Sequence, residues 1–194
     1  MHVKNKEVLL GMVTLESERL VMRNYKKSDL NDLHKLMSDK ENMYYLIELT
    51  TNTLEESQKS LDDALEFNEK GKANRFCIAS KESDKLIGGI GYEVPVITPD
   101  GKVADPLGWF IMPEYQNKGY MTEAVKTVLE YAFLHDDCIR VVTACFKDNI
   151  PTQRVMAKVG FRQEAEKLKA MWLDGRMRDR LEFAINRDEY MQRL

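Results

Sequence analysis

The 194-residue chain reads as an α/β protein with a mixed, mostly antiparallel sheet. Three observations predict it. Short apolar stretches with strand character recur, several of them joined by turn residues that close hairpins. Two long segments instead carry apolar residues at helical spacing. One of these helices connects two apolar strands, and such a crossover supplies a parallel pair.

Taken in order, Arg19-Leu20-Val21-Met22-Arg23 has the alternating sides of an opening strand. Ser28 is placed to cap a short helix whose apolar face is Leu30, Leu33, Leu36 and Met37. Thr53-Leu54-Glu55-Glu56 has capping-box spacing, Leu54, Leu61 and Leu65 follow on one face, and Gly71 offers a left-handed stop. Strand-like segments at 75–80 and 86–93 flank a polar turn at 81–85. Thr98-Pro99-Asp100-Gly101 is a turn signal, and 107–112 is another strand, ended by Pro113 because proline cannot donate to a continuing ladder. Met121, Ala124, Val125, Val128, Leu129, Ala132 and Phe133 then mark a long helix with Glu123, Lys126 and Glu130 opposite. Segment 139–146 is apolar and β-branched, the kind of strand buried on both faces. A short helix at 149–159 has Pro151 in its first turn and Gly160 as its stop. Segments 168–173 and 177–185 flank Asp174-Gly175, a tight-hairpin signal. The parallel pair expected from this order joins 107–112 to 139–146.

Composition narrows the function. With 43% hydrophobic residues and 9% aromatics, the chain can bury a sizeable core without a disulfide or metal staple. The net charge of −3 argues against a general nucleic-acid binder. No apolar run approaches the roughly 20 residues that span a bilayer, and the first residues lack the pattern of a secretory leader. Cys77, Cys138 and Cys145 contain no C-x-x-C pair and read as small buried or half-buried thiols of a reducing compartment, while His2, His34 and His135 are too scattered to form a metal site. No repeat or linker divides 1–194, so one cytoplasmic domain is expected, without membrane or nucleic-acid partners and with its oligomeric state, a homodimer included, left open.

The informative stretch runs from Trp109-Phe110-Ile111-Met112-Pro113 through Glu114-Tyr115-Gln116-Asn117-Lys118-Gly119 to Tyr120-Met121-Thr122-Glu123-Ala124. A strand stops at proline, a polar loop follows, and an amphipathic helix begins. The unpaired N–H groups of a first helical turn suit a phosphate or pyrophosphate. Gly119 lets a ligand approach the backbone, Asn117 tolerates the left-handed region, and Lys118 adds charge. A plain strand-to-helix connection has the same outline, so these residues alone leave both readings open.

Gln116-Asn117-Lys118-Gly119-Tyr120-Met121 resembles the Q/R-x-x-G-x-G/A signature of the GNAT superfamily of acyl-CoA-dependent N-acyltransferases. A second block, Asn149-Ile150-Pro151-Thr152 with Val155, Lys158 and Gly160-Phe161, is similar to the N-x-x-S…K-x-G-F element of its branch that acetylates ribosomal-protein N-termini (RimJ/RimL-like). Glu18-Arg19-Leu20…Arg23 and Asp174-Gly175…Asp179 also fit that branch, so the likeness spans roughly 16–190. The resemblance implies a twisted sheet with helices on both faces and a splayed parallel strand pair. It implies acetyl-CoA as cosubstrate and an amine as acceptor, either a protein N-terminus or a small molecule. By the same resemblance, the backbone of Trp109, Phe110 and Ile111 would run beside the pantetheine arm, and the block from Gln116 through Asn117, Lys118, Gly119, Tyr120 and Met121 to Thr122 would hold the pyrophosphate. Asn149 would bind the pantetheine, and Thr152 would sit near the thioester sulfur.

Two positions depart from the pattern. Met121 stands where the signature has Gly or Ala, and either crowds the phosphates or turns into the core. Met156 stands where many relatives carry a tyrosine acid, which leaves Thr152 as the candidate partner of the leaving thiolate. Glu93 is the candidate general base, with Asp105 and Glu48 as other carboxylates of the expected rim. Met43, Tyr44, Tyr45, Met171 and Trp172 could wall an acceptor pocket or pack in the core. Rival readings are a polyamine, amino-acid or antibiotic acetyltransferase, a non-catalytic acyl-CoA-binding module, and a dinucleotide-binding enzyme. The last lacks a Gly-rich loop after its first strand.

Overall fold

The computed structural model describes residues 13–70 and 73–193, and the expected helix stop at Gly71 lies outside them. The chain forms two compact units: Met1–Tyr92 with Gly108–Thr127, and Glu93–Leu107 with Val128–Leu194.

The first unit holds a sheet of order β1-β2-β3-β4-β7. Its strands are β1 (Leu15–Glu16), β2 (Leu20–Arg23), β3 (Ala73–Ser80), β4 (Leu86–Glu93) and β7 (Leu107–Ile111). Phe76, Cys77, Ile78 and Ala79 of β3 are all fully buried, as an interior strand requires. Helix α1 (Leu30–Met37) buries Leu33, Leu36 and Met37 as its periodicity predicts, but Ser28 is not its cap. A short 3-10 turn, Lys27–Asp29, precedes it, and the Asp29 carboxylate accepts the Lys26 N–H at 2.8 Å. The same carboxylate faces the buried guanidinium of Arg23, whose five N–H donors all find oxygen on Asp29, Asp84 and the Asn24 carbonyl.

Helix α2 (Leu54–Glu69) begins with the expected box: Thr53 Oγ1 accepts the Glu56 N–H, and the Glu56 carboxylate accepts the N–H groups of Asn52 and Thr53. Its inward face is more polar than the sequence suggests. Leu54 is exposed, and the buried positions are Ser57, Leu61, Ala64 and Asn68. Ser57 can lie inside because its hydroxyl is 2.8 Å from His34 Nδ1 and 2.6 Å from Thr51 Oγ1. Asn68 can because its amide bonds Asn24 and the backbone of Arg75.

The second unit holds a sheet of order β5-β6-β8-β10-β9. The turn at Thr98-Pro99-Asp100-Gly101 closes a hairpin of β5 (Val96–Thr98) and β6 (Gly101–Ala104), strands that the sequence did not reveal. The parallel pair is present, but its members are β6 and β8 (Cys138–Phe146), with Ala104 opposite Val141. Strand β7 lies in the other sheet, so the expected ladder between 107–112 and 139–146 is corrected. Strand β8 is also not buried throughout: Val141, Thr143 and Cys145 are buried, while Arg140 before them and Val142 and Ala144 between them are half-exposed. Helix α4 (Ile150–Val159) ends at Gly160 in the left-handed region, φ 95°. Strands β9 (Arg162–Leu173) and β10 (Arg176–Asn186) meet at Asp174-Gly175, with φ of 50° and 73°, the two positive values of a type I′ turn. A final short helix, α5 (Arg187–Met191), follows β10. Helix α3 (Tyr120–Leu134) has the apolar stripe expected of it, from Met121 to Phe133, fully inside.

Strand β7 approaches β4 at a glycine. A Cβ on Gly88 would come within 2.5 Å of the Phe110 carbonyl oxygen, whereas one on Gly108 would meet nothing within 4 Å. Gly88→Ala is therefore expected to lower unfolding free energy in urea titration by about 1–3 kcal/mol, the cost of overpacking, while Gly108→Ala stays within about 0.5 kcal/mol of the unsubstituted chain.

Candidate functional site

Strand β7 is the last strand of its sheet, so one of its edges has no strand partner among the described residues. Trp109, Phe110 and Ile111 lie along it half-buried. Pairing ends where the Met112 N–H donates to the Ile87 carbonyl at 2.8 Å. Pro113, with no N–H to give, opens a 3-10 turn, Pro113–Tyr115. The Gln116 N–H closes that turn on the Pro113 carbonyl at 3.1 Å, and its side-chain amide donates to Asn42 Oδ1 at 2.6 Å. Asn42 Nδ2 in turn donates to the Ile111 carbonyl at 3.1 Å. Gln116 thus has a structural use, and Asn42, which the sequence did not single out, ties the end of β7 to the loop.

The loop reverses in two left-handed steps, Asn117 at φ 57° and Gly119 at φ 83°. Asparagine and glycine are the residues that enter this region at least cost. Helix α3 starts at once with Tyr120. Its first N–H with a main-chain partner inside the turn is that of Glu123, which donates to the Gly119 carbonyl at 3.0 Å. The amides of Tyr120, Met121 and Thr122 are first-turn donors, which a helix cannot satisfy internally. The Met121 side chain is buried with the apolar stripe, so of its two alternatives it takes the core. Lys118 is exposed.

The Arg19 guanidinium binds the Glu123 carboxylate through Nε and Nη2, each 2.7 Å from Oε2. Its Nη1 donates to the Lys118 carbonyl at 3.1 Å, and its Cζ lies over the Tyr120 ring, 4.1 Å from the ring centre. Oε1 of Glu123 accepts the Arg19 N–H at 2.8 Å and the Ser17 hydroxyl at 2.7 Å. Burial acts to raise the Glu123 carboxyl, but these donors outweigh it and hold the group below the usual carboxylate range. The bonded Glu123 carboxylate in turn raises the Arg19 guanidinium further. The sequence showed a first-turn acid and an arginine of the opening strand, but nothing local joins residues 104 positions apart.

In the second unit, Asn149 is the N-cap of α4, its Oδ1 accepting the Thr152 N–H at 3.3 Å. Thr152 is half-buried in that first turn. Met156 is fully buried, so the side chain at this position is packed rather than presented. Glu93, exposed at the end of β4, accepts the Asp105 N–H on its main-chain carbonyl at 3.0 Å. Of the residues considered for an acceptor wall, Met43 is instead a core residue packed with Leu36, Leu61 and Met112 of the first unit. Tyr44 and Tyr45 sit half-buried edge to face, Met171 is half-buried and Trp172 is largely exposed. Glu48 is exposed. No group of three or more His, Cys, Asp or Glu side chains able to hold a metal ion occurs among the described residues. No helix among them is long and apolar enough to cross a membrane.

Residues 19–162 match the model of the acetyltransferase (GNAT) domain. An uncharacterized N-acetyltransferase of Bacillus subtilis, YnaD, is 30% identical over 179 residues, covering 91% of this chain and 98% of the relative. The crystal structure of a GNAT-family acetyltransferase from Bacillus anthracis superposes with a TM-score of 0.78 at 27% identity, covering 91% of this chain and 99% of that one. Spermidine N-acetyltransferase from Vibrio cholerae, solved with CoA and spermine, shares the fold with a TM-score of 0.76 at 20% identity, covering 90% and 99%. The chain belongs to the GNAT acetyltransferase family.

The depressed Glu123 carboxyl carries a stability prediction. Because its folded value lies below its unfolded one, its contribution is complete above the ordinary carboxylate range and is lost as pH falls through the folded value. Urea unfolding measured from neutral pH into acid should show a shallower acid loss for Glu123→Gln than for the unsubstituted chain.

Proposed function

We propose that this member of the GNAT family moves an acetyl group from acetyl-CoA to a primary amine by direct attack in a ternary complex, in the cytoplasm, with residues 1–194 acting as one acyltransferase domain. The observation that carries this reading is the turn from β7 into α3: Asn117 and Gly119 both left-handed, three first-turn amides behind them, and before them a strand edge without a strand partner among the described residues. A diphosphate fits that turn because a Cβ on Gly119 would touch nothing nearer than Arg19 Nη2 at 3.4 Å, so the backbone is open to a ligand.

In this reading the main chain of Trp109, Phe110 and Ile111 receives the amides of the pantetheine arm as an added strand. The amides from Asn117 to Thr122 hold the diphosphate, and Asn149 holds the pantetheine. Gln116, whose N–H and side chain are already bonded, shapes the loop from behind. Acetyl-CoA supplies the acyl group as a thioester, whose thiol is a fair leaving group at an ordinary pKa of about 8.5. The amine needs a free lone pair, so its ammonium proton passes to a base, for which Glu93 is the candidate. A β7 backbone N–H faces the charge that develops on the carbonyl oxygen. Thr152 donates its hydroxyl hydrogen bond to the departing thiolate.

Two acceptor classes follow from different observations. The Asn149–Thr152 block resembles the branch acting on protein N-termini, and the Vibrio cholerae fold neighbour was solved with a polyamine. Mass spectrometry after incubation with acetyl-CoA and a panel of peptides, polyamines and amino acids, with hydrolysis subtracted, should find one modified amine. A chain that binds CoA but modifies none of them is a binding module instead. Glu93→Gln should lower kcat/KM by about a hundredfold at neutral pH, with part of the loss recovered at higher pH as the amine deprotonates unaided. Thr152→Ala should lower kcat by about tenfold, and Thr152→Ser should keep most of it, since one hydrogen bond to a charged group is at stake.

A further inference from the structure

A carboxylate in the first turn of α3 is at odds with a diphosphate received by that same turn. The positive end of the helix attracts both, and two anions there repel each other. Glu123 is such a carboxylate, and the structure deals with its charge. Its Oε2 lies 2.7 Å from both Nε and Nη2 of Arg19, and its Oε1 takes the Arg19 N–H and the Ser17 hydroxyl. The Glu123 side chain is only 17% exposed, so solvent screens it little, while that of Arg19 is 38% exposed. The same guanidinium holds the Lys118 carbonyl and covers the Tyr120 ring, so it contacts residues on both sides of Gly119.

Resting on the reading above, we propose that Arg19 is a positioning residue for the cosubstrate: it cancels the charge of Glu123 and fixes the 118–120 backbone, leaving the first-turn amides to the diphosphate. Arg19 is not itself a phosphate ligand in this account. Its hydrogen bonds go to Glu123 and Lys118, and the pair it forms is electrically neutral.

Calorimetric titration with CoA separates this role from plain packing, from direct phosphate contact, and from failure of the underlying reading. Arg19→Ala should weaken CoA binding about tenfold at low salt, the size of one charge interaction at a helix terminus. That ratio should shrink as salt is raised, because removing the Arg19 side chain uncovers the Glu123 carboxylate and lets salt screen its charge. The double variant Arg19→Ala/Glu123→Gln should bind several-fold more tightly than Arg19→Ala, short of the unsubstituted chain only by the lost hold on the 118–120 backbone, and Glu123→Gln alone should bind at least as tightly as the unsubstituted chain. A double variant as weak as Arg19→Ala, or a salt-independent ratio, overturns the proposal by pointing to packing or direct contact. Should Arg19→Ala not fold, Arg19→Lys serves in its place: it keeps the charge and should retain most of the affinity, and a full loss with lysine overturns the proposal equally. If the unsubstituted chain binds no CoA, the reading beneath falls and this inference falls with it.

Discussion

The candidate site depends on a strand that has to stop. Strand β7 carries an edge without a strand partner among the described residues, ends at a proline that has no N–H to continue a ladder, and passes within a few residues into a helix. An unpaired strand edge is ordinarily a liability that proteins cover or shorten. Here the strand is only five residues long, and the end of it is fastened from the side by Asn42, which bonds the Ile111 carbonyl and the Gln116 side chain together. The close approach at Gly88 keeps β7 tight against β4. These contacts leave the backbone of one edge and the first turn of α3 as two adjoining runs of main-chain hydrogen-bonding groups.

Two arginines of the same strand region illustrate two uses of one side chain. Arg23 is buried, and a buried guanidinium is costly unless every donor is met. Asp29, Asp84 and the Asn24 carbonyl meet all of them, and the result joins β2, the entry to α1 and the turn before β4. Desolvation opposes the charge on Arg23, yet its carboxylate partners hold the group well above its ordinary value. Arg19, four residues earlier, is partly exposed and reaches a segment that is distant in sequence. The first arginine holds a fold together; the second holds a loop in shape.

Much of this was legible in the residues. The stripe from Met121 to Phe133 specified α3, Thr53 and Glu56 specified the start of α2, and Asp174-Gly175 specified the last hairpin, because each is a local rule that short stretches of chain obey. The family resemblance singled out the 116–122 loop and the Asn149 block as candidates, and their local geometry, a left-handed turn and a helix N-cap, is what the structure shows there. What escaped was pairing across distance. Strands β5 and β6 are three and four residues long and too short to stand out beside the turn that joins them, so the pattern points to β7 in place of β6 as the parallel partner of β8. The inward face of α2 departs from the leucine pattern at Leu54 because Ser57 and Asn68 are buried with partners on other elements, which the helix's own sequence does not show. Asn42 and the Arg19–Glu123 pair were missed for the same reason: their meaning lies in what they touch.

The three cysteines, all buried and free, have a practical corollary. Desolvation raises each thiol, Cys138 to about 12 and Cys145 to about 11, so none is a ready nucleophile at neutral pH. A chromogenic disulfide added to the folded protein would thus draw almost no background colour from the polypeptide. Any thiol that appears during turnover would belong to the spent cosubstrate, which makes the release of that group directly countable in a cuvette.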